Sequence, residues 1–252
     1  MALDFQPIYI LTSGLLYRQR ELEVVANNLA NVNTPGFKKV LLTAMAYPVK
    51  SPKEVLLTTP PDSPKRSENN FVYTVMGKQK VDPTEGPLEH TGNPLDVAIM
   101  GKGFFAVEVD GKVLYTRDGH FLLDKKGYLV NQSGYPVLDE SGNKILIGRA
   151  PLEEVKITRE GVIFVGERRV AKLKIVDLEG VKHAGENLYR GEKEKPAFDY
   201  TVLQGYLEGS NVNPVKEMVR MTQTLRAYQA VANALKAIDN VNGNLINGVL
   251  KV

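Results

Sequence analysis

The hydrophobic positions near the start of the chain recur at intervals of three and four residues. Interrupted only at Arg18, the series keeps a 3.5-residue period for more than three heptads, which is typical of a coiled-coil seam. We therefore predict a long helix that pairs with another helix; an amphipathic helix lying on the core of its own domain is the alternative. The positions are Ile8, Leu11, Leu15, Leu22, Val25, Leu29 and Val32.

This helix is predicted to end near Asn33. Pro35 disfavours helical geometry for the residue before it, and the Pro-Gly pair suits the centre of a type II turn. Beyond the turn, Phe37 is expected to anchor the connection, and Lys38 and Lys39 are expected to face solvent.

The pattern changes twice in the middle of the chain. Residues 48–70 hold five prolines among many polar residues, so 41–70 is predicted to be an extended linker. From 71 to about 206, short apolar or alternating runs are separated by turn signals every 7 to 9 residues. One of these, Asp110-Gly111, is a strong hairpin signal. Together they predict an antiparallel all-β domain over 71–206.

A second long helix is predicted to start at Asn213-Pro214, with the asparagine as N-cap and the proline at the first helical position. It has two apolar stripes on nearly opposite faces, which suggests more than one packing partner. The simpler explanation is that its alanines are only good helix formers. The first stripe comprises Met218, Met221, Leu225, Tyr228, Ala232 and Leu235; the second comprises Ala227, Val231, Ala234, Ile238, Val241 and Leu245.

The predicted fold class is therefore α+β. A central all-β domain lies between N- and C-terminal long helices, which pair as a coiled-coil-like helical domain. The predicted organisation is residues 1–40 for the first helix, 41–70 for the linker, 71–206 for the β domain and 207–252 for the second helix.

Composition narrows the class of protein. The 252 residues are 43% hydrophobic and 24% charged, with a net charge of +3. This balance gives no electrostatic reason to expect nucleic acid or an acidic membrane as a partner.

No run of about 18 apolar residues is present for membrane insertion. The first residues lack the basic and long apolar regions of a cleaved signal peptide. Because cysteine is absent, disulfides and cysteine-rich metal sites are excluded.

The chemical motifs are few. His90, His120 and His183 are far apart and lie in no metal-ligand spacing. No nucleophile or phosphate-binding motif is present, and the acidic stretch 139–143 is better interpreted as a hairpin turn than as a calcium loop. We therefore expect no catalytic residues, no cofactor and no metal site, and a protein that is not an enzyme.

Four segments give the chain a family resemblance. ANNLANVNTPGFKK (26–39) resembles the N-terminal signature of the flagellar axial proteins, the bacterial rod and hook subunits. The resemblance continues in family order at GPLEHTGNPLDVAIMGKGFFAVEV (86–109), YTRDGHFLLDKKGYLV (115–130) and LEGSNVNPVKEMVRMTQTLRAYQ (207–229). Within that family the chain is most similar to the proximal-rod type and then to the distal-rod type; residues 41–80 and 137–205 are weakly covered.

This resemblance implies a structural subunit of the basal-body rod that transmits torque from motor to hook. It implies a helical tube with the terminal helices inside and the β domain outside. The implied partners are copies of itself, other rod and hook axial proteins, and the flagellar type III export apparatus, which needs no cleaved signal. The implied location is the rod in the periplasmic space. A hook or hook-associated subunit is one alternative, and a β-domain hydrolase or carbohydrate-binding module with helical oligomerisation ends is another.

The asparagines of 27–33 suggest how such helices meet. Asn27 and Asn31 share one helical face, and their short carboxamides can bond across a crowded contact without the desolvation cost of a charge. Local capping at a solvated helix end is the alternative. The predicted assembly interface comprises Leu11, Leu15, Leu22, Val25, Asn27, Asn28, Leu29, Asn31, Asn33, Thr34, Pro35, Gly36, Phe37, Met218, Met221, Leu225, Tyr228, Val231, Ala232, Leu235 and Ile238.

Overall fold

The computed structural model describes residues 6–48, 72–149 and 151–249. Two helices flank a long series of strands, so the chain is α+β and mostly β, as predicted. It divides into two compact units. The helical unit contains Met1–Ala26, Leu42–Gln79 and Val215–Val252, and the β unit contains Asn27–Leu41 and Lys80–Pro214. The pairing of the terminal helices as a coiled coil and the independent folding of 71–206 stay predictions.

The helical unit holds most of α1 (Gln6–Ala30) and nearly all of α2 (Pro214–Val249). Pro214 is the first helical residue, which confirms the predicted start of the second helix. The first part of the predicted linker is instead a strand, since β1 (Val40–Pro48) pairs with β2 (Val72–Val81). Its remaining residues, 49–70, lie outside the described residues.

The first helix ends slightly earlier than predicted. The backbone N–H of Asn31 lies 3.2 Å from the carbonyl oxygens of both Asn27 and Asn28, and that of Val32 lies 3.4 Å from Leu29 O. The Asn31 side chain also donates to Asn27 O, at 2.8 Å. Asparagine competes in this way for backbone carbonyls, so the helix tightens into turns after its last regular residue.

The β unit contains fifteen complete strands, the first residues of β1 and the last two residues of β2. The strands that follow the β1-β2 pair are shorter and alternate with turns, as the sequence predicts. They are β3 (Leu88–His90), β4 (Val97–Gly101), β5 (Phe104–Val109), β6 (Lys112–Thr116), β7 (Phe121–Leu123), β8 (Leu129–Asn131), β9 (Val155–Ile157), β10 (Val162–Val165), β11 (Arg168–Lys172), β12 (Ile175–Glu179), β13 (Lys182–Gly185), β14 (Leu188–Arg190), β15 (Lys193–Pro196), β16 (Tyr200–Gln204) and β17 (Tyr206–Glu208).

These strands form antiparallel sheets. The largest has the order β13-β14-β6-β5-β12-β15, and a second has the order β11-β10-β9. Three two-stranded sheets, β16-β4, β17-β3 and β7-β8, accompany them, together with isolated bridges such as that between Asp96 and His120. A cluster of seventeen buried apolar residues, among them Val97, Phe105, Phe121 and Ile163, forms the core of the unit.

Gly119 lies against the backbone of β4 and the Phe105 ring of β5. A Cβ atom at this position would lie 1.6 Å from Val97 O and 3.2 Å from the Phe105 ring. The backbone N–H of Val97 also donates a hydrogen bond to Gly119 O at 3.0 Å. The two backbone segments are therefore held in direct contact. Only glycine fits this contact.

Replacing Gly119 with alanine should lower the free energy of unfolding by more than about 3 kcal/mol, because the methyl group must push apart a hydrogen-bonded backbone. Urea denaturation of the full chain measures the change. Gly14→Ala in α1 is the matched control: no atom lies within 4 Å of the added methyl group. That change should stabilise the helix by about 0.5–1 kcal/mol. Equal stability of the Gly119→Ala and Gly14→Ala variants would show that the backbone around Gly119 can move aside at little cost in free energy.

Candidate functional site

The best-organised polar site in the described chain surrounds the turn that follows α1. We call it the junction: residues 35–39 together with the side chains of Arg117, Asn187, Tyr189, Glu208 and Asn211. All of these residues belong to the β unit.

The turn itself depends on Gly36. Its φ of 67° is in the left-handed region, where glycine is favoured, and Phe37 N donates to Thr34 O at 3.2 Å to close the turn. A Cβ atom on Gly36 would lie 2.3 Å from both Arg117 C and Asp118 N. Gly36 N donates to Glu208 O at 2.6 Å. The turn therefore lies flat against the backbone of two other segments.

A buried carboxylate holds two cations beneath the turn. Glu208 Oε1 accepts hydrogen bonds from Lys38 Nζ at 2.5 Å and from Gly86 N at 2.9 Å. Glu208 Oε2 accepts from Arg117 Nε at 2.7 Å. The three charged side chains are only 1 to 3% exposed. The prediction that Lys38 faces solvent is wrong. Its charged group is buried because it is paired with the Glu208 carboxylate.

Each cation has further partners. Arg117 Nη1 donates to Gly101 O at 3.0 Å and Gly103 O at 2.7 Å, and Nη2 donates to Ile99 O at 3.2 Å. Lys38 Nζ donates to Thr84 O at 2.6 Å. Burial lowers the pKa of Lys38, while the Glu208 charge opposes that shift. These partners offset the loss of hydration that makes buried charges costly.

Neutral side chains hold the rest of the turn. Lys38 N donates to the Tyr189 hydroxyl at 2.8 Å, and that hydroxyl donates to Asn187 Oδ1 at 3.1 Å. Asn187 Nδ2 donates to Pro35 O at 2.7 Å. The Phe37 ring is buried, with its centroid 5.9 Å from that of His183. The hairpin of β13 and β14 thus binds both the backbone and the aromatic ring of the turn, and the predicted anchoring by Phe37 agrees with its burial.

Asn211 binds the strand that leaves the turn. Its Oδ1 accepts from Lys39 N at 2.7 Å, and its Nδ2 lies 3.2 Å from Asp82 O and 3.0 Å from Thr84 O. Asn28, in the last turn of α1, also bonds to backbone: Nδ2 donates to Val40 O at 2.9 Å and Oδ1 accepts from Val40 N at 2.8 Å. Both carboxamides thus supply the hydrogen-bond donor and acceptor that the backbone of a neighbouring β-strand would otherwise provide.

A second acidic group lies beside the junction. Burial raises the pKa of Asp118 to about 6, although the neighbouring His120 opposes that shift. Asp118 Oδ1 accepts from His120 N at 2.9 Å, and His120 Nδ1 lies 2.7 Å from Asp96 Oδ1. Within the described ranges, no three histidine, cysteine or acidic side chains are grouped so that they could hold a metal ion.

The structure divides the predicted interface residues between the two units. Those from Asn27 to Phe37 belong to the β unit, and the others belong to the helical unit. Asn28, Gly36 and Phe37 are buried within their own chain, as is Val25, whereas Asn27 and Asn33 are exposed. The remaining members of α1 and the turn are half-buried: Leu11, Leu15, Leu22, Leu29, Asn31, Thr34 and Pro35. In α2, Met218 and Leu225 are exposed, and Met221, Tyr228, Val231, Ala232, Leu235 and Ile238 are half-buried. Their role as an interface stays a prediction.

Sequence reasoning did not find Lys38, Arg117, Glu208, Asn187 or Asn211 as site residues. One signal was available for three of them. Lys38, Arg117 and Glu208 each lie beside a glycine turn in one of the quoted segments, GFKK, TRDG and LEGSN. A charged residue held between turns in this way is a candidate for a buried pair, but only the fold identifies its partner.

Comparison with known protein families covers both ends and the middle of the chain. Residues 8–38 match the family described as flagella basal body rod protein, and residues 203–248 match the flagellar basal body rod FlgEFG protein C-terminal family. Residues 98–165 match the flagellar hook protein FlgE/F/G D1 domain. All three matched segments are thus characteristic of axial flagellar proteins.

Whole-length relatives narrow this class. The chain is 38% identical over 247 residues to the flagellar basal-body rod protein FlgF of Caulobacter vibrioides, with 92% of each chain covered. It is 32% identical to FlgG of Buchnera aphidicola, with 93% of this chain and 96% of that one covered. It is 31% identical to FlgF of Rhizobium meliloti, with 94% and 98% covered. The chain belongs to the flagellar basal-body rod protein family and is a structural subunit of the rod.

Replacing Glu208 with glutamine should lower the free energy of unfolding by about 3–5 kcal/mol, because two buried cations would lose the carboxylate that they share. Chemical denaturation of the full chain measures this. Glu179→Gln, which removes an exposed carboxylate paired with Lys195, is the control and should change stability little. If the two variants unfold alike, the buried network does not hold the junction together.

Asp118 should make stability depend on pH in an unusual direction. Between about pH 4 and 6 the folded chain retains a proton on Asp118 that the unfolded chain has released. Stability from this group therefore falls as pH rises through that window, by about 2–3 kcal/mol in total.

Asp118→Asn keeps the acceptor for His120 N and removes this titration. Stability of the variant minus that of the wild type should increase from pH 4 to 7, since subtraction cancels the groups common to both chains. Urea denaturation across this pH range provides the measurement. A difference that is flat in pH would show that folding does not raise the pKa of Asp118.

Proposed function

We propose that the chain assembles through its terminal helices, with copies of itself and with other axial proteins, into a helical tube that transmits torque from motor to hook. In this proposal the helices pair as a coiled-coil-like domain inside the tube, and the β unit makes lateral contacts outside. The location is the rod in the periplasmic space. The subunit reaches it through the flagellar export apparatus, as the family resemblance implies.

The apolar surface of α2 is the observation that carries this proposal. Val215, Met218, Val219, Leu225 and Val241 are all exposed, and together they occur along most of the helix. Large apolar side chains grouped on a monomer mark an interaction site. At the same time, buried or half-buried positions of the same helix recur every three or four residues, from Met221 through Thr224 and Tyr228 to Ile238. A helix with apolar side chains on more than one face needs more than one partner.

The junction supports the mechanical part of the proposal. α1 starts in the helical unit, and its last turn belongs to the β unit. A force carried by that helix therefore enters the segment held by Asn28, Lys38 and Asn211. Because these contacts are buried and several involve charge, they resist local opening better than a solvated linker would.

The relatives favour a rod position over the alternatives. Their names are those of basal-body rod proteins, and none of those reported above is named as a hook subunit or a hydrolase.

Leu225→Asp tests the assembly surface. Leu225 is 44% exposed, so the isolated subunit should unfold as the wild type does, while rod assembly and swimming should be lost in a strain that lacks the native subunit. Leu152→Asp is the matched control, since Leu152 is 41% exposed but lies in the β unit. Electron microscopy of basal bodies and a swimming assay give the readouts. Normal rods with Leu225→Asp would count against assembly through α2.

A further inference from the structure

The hairpin of β7 and β8 has an apolar face that the core of the β unit does not use. Its inner face contributes Phe121 and Leu129 to the buried core. On the opposite face, Leu122 lies beside Val130, because the two residues are paired in register and side chains alternate along a strand. Leu122 is 42% exposed, although it belongs to one of the segments that carry the family resemblance. Packing within the β unit therefore does not explain this side chain.

The same face continues on the segments beside the hairpin. Tyr128 is two residues from Val130 and forms a β-bridge with Leu146, so these three side chains share one face. Pro136 forms a β-bridge with Val130 and extends it. Leu146 is 49% exposed. Apolar side chains that are grouped on an open surface mark an interaction site. We call this surface the outer face: Leu122, Tyr128, Val130, Pro136 and Leu146.

Two lysines lie at one end of the outer face. The turn between β7 and β8 contains Lys125 and Lys126, and both are exposed. Asp124, the acidic residue of this turn, accepts hydrogen bonds from Lys126 N at 2.9 Å and from Tyr128 N at 2.7 Å. Its carboxylate thus serves to close the turn. The outer face is therefore complementary to an apolar side chain that has a carboxylate beside it.

The β unit has a group of this kind at Phe198-Asp199. Phe198 is 88% exposed, more than any other large apolar side chain of the described residues. The backbone is held on both sides of it, since Ala197 packs against the core and Asp199 O accepts from Lys102 N at 3.2 Å. The Asp199 residue is exposed as well. An aromatic side chain on a fixed backbone loses little conformational freedom when a partner covers it, so Phe198 is suited to anchor a contact.

We propose that Phe198 of one copy packs on the outer face of a second copy, with its Asp199 carboxylate beside Lys126 of that second copy. Both complementary surfaces belong to this chain, which makes a second copy the occupant. The high exposure of Phe198 shows that it does not cover the outer face of its own chain.

This inference rests on the proposed function and deepens it, because it names the lateral contact of the β unit. The two surfaces that meet are different parts of the molecule, so the contact is heterologous. A heterologous contact leaves one surface of each kind unoccupied on a pair of subunits. It can therefore repeat from copy to copy, as a helical tube requires.

Zero-length cross-linking tests the contact in the unchanged full-length protein. Isotopically labelled and unlabelled protein are mixed in equal amounts, at up to about 1 mM so that weak contacts are populated. A carbodiimide then joins carboxylates to nearby lysine amines with loss of water. Mass spectrometry should identify Asp199 joined to Lys126, with mixed-label pairs as frequent as uniform pairs. Glu108 and Lys144, 3.1 Å apart in one chain, are the internal control and should give uniform pairs.

Substitutions test the apolar part of the contact. Phe198→Ala should lower the yield of the mixed-label product by at least about fivefold. Leu146→Asp should do the same, because it puts a carboxylate on the outer face opposite Asp199. Leu152→Ala is the matched control, since Leu152 is 41% exposed and belongs to neither surface. It should leave the yield unchanged. An unchanged yield with Phe198→Ala would overturn the proposal.

The labels also separate this inference from the proposed function. If Asp199 and Lys126 are joined only in uniform pairs, the contact lies within one chain and the proposal is wrong. Mixed-label products that join other positions, without this pair, would overturn the contact and leave the assembly of copies standing. Absence of every mixed-label product at the highest concentration would overturn the contact and count against self-assembly as well.

Discussion

The bond between Glu208 and its two cations is the interaction on which the β unit depends. Lys38, Arg117 and Glu208 come from three segments that are distant in sequence, and each is nearly inaccessible to water. An isolated charge in that environment would be costly, so each of the three residues requires the others to be in place. The charge network therefore specifies which segments meet, beyond what apolar packing alone would decide.

Several other features of the junction follow from this requirement. The 36–38 turn must approach Arg117 closely enough for Lys38 to reach Glu208, and Gly36 permits that approach because any side chain would strike the Arg117 backbone. Asn187 and Asn211 then bind the backbone groups that the turn leaves without strand partners. Buried backbone polar groups are almost always paired, and here side chains on neighbouring segments supply the pairs.

This arrangement also gives a physical reason for the segments that identify the family. GFKK, TRDG and LEGSN are far apart in the chain, yet they contribute Lys38, Arg117 and Glu208 to one site. For a rod subunit, the consequence is that the end of its first helix is fixed within the β unit by buried contacts.

The sequence by itself determined the α+β class, the start of α2 at Pro214, the turn at Pro35-Gly36 and the family. Those features depend on local periodicity, on proline and glycine geometry and on contiguous motifs. Only the tertiary structure decided that Lys38 is buried, that β1 occupies residues 40–48 and that Asn28 pairs with Val40. Each of these depends on a partner brought close by folding. A lysine after a turn looks solvent-exposed until the fold places a carboxylate from 170 positions away beside it.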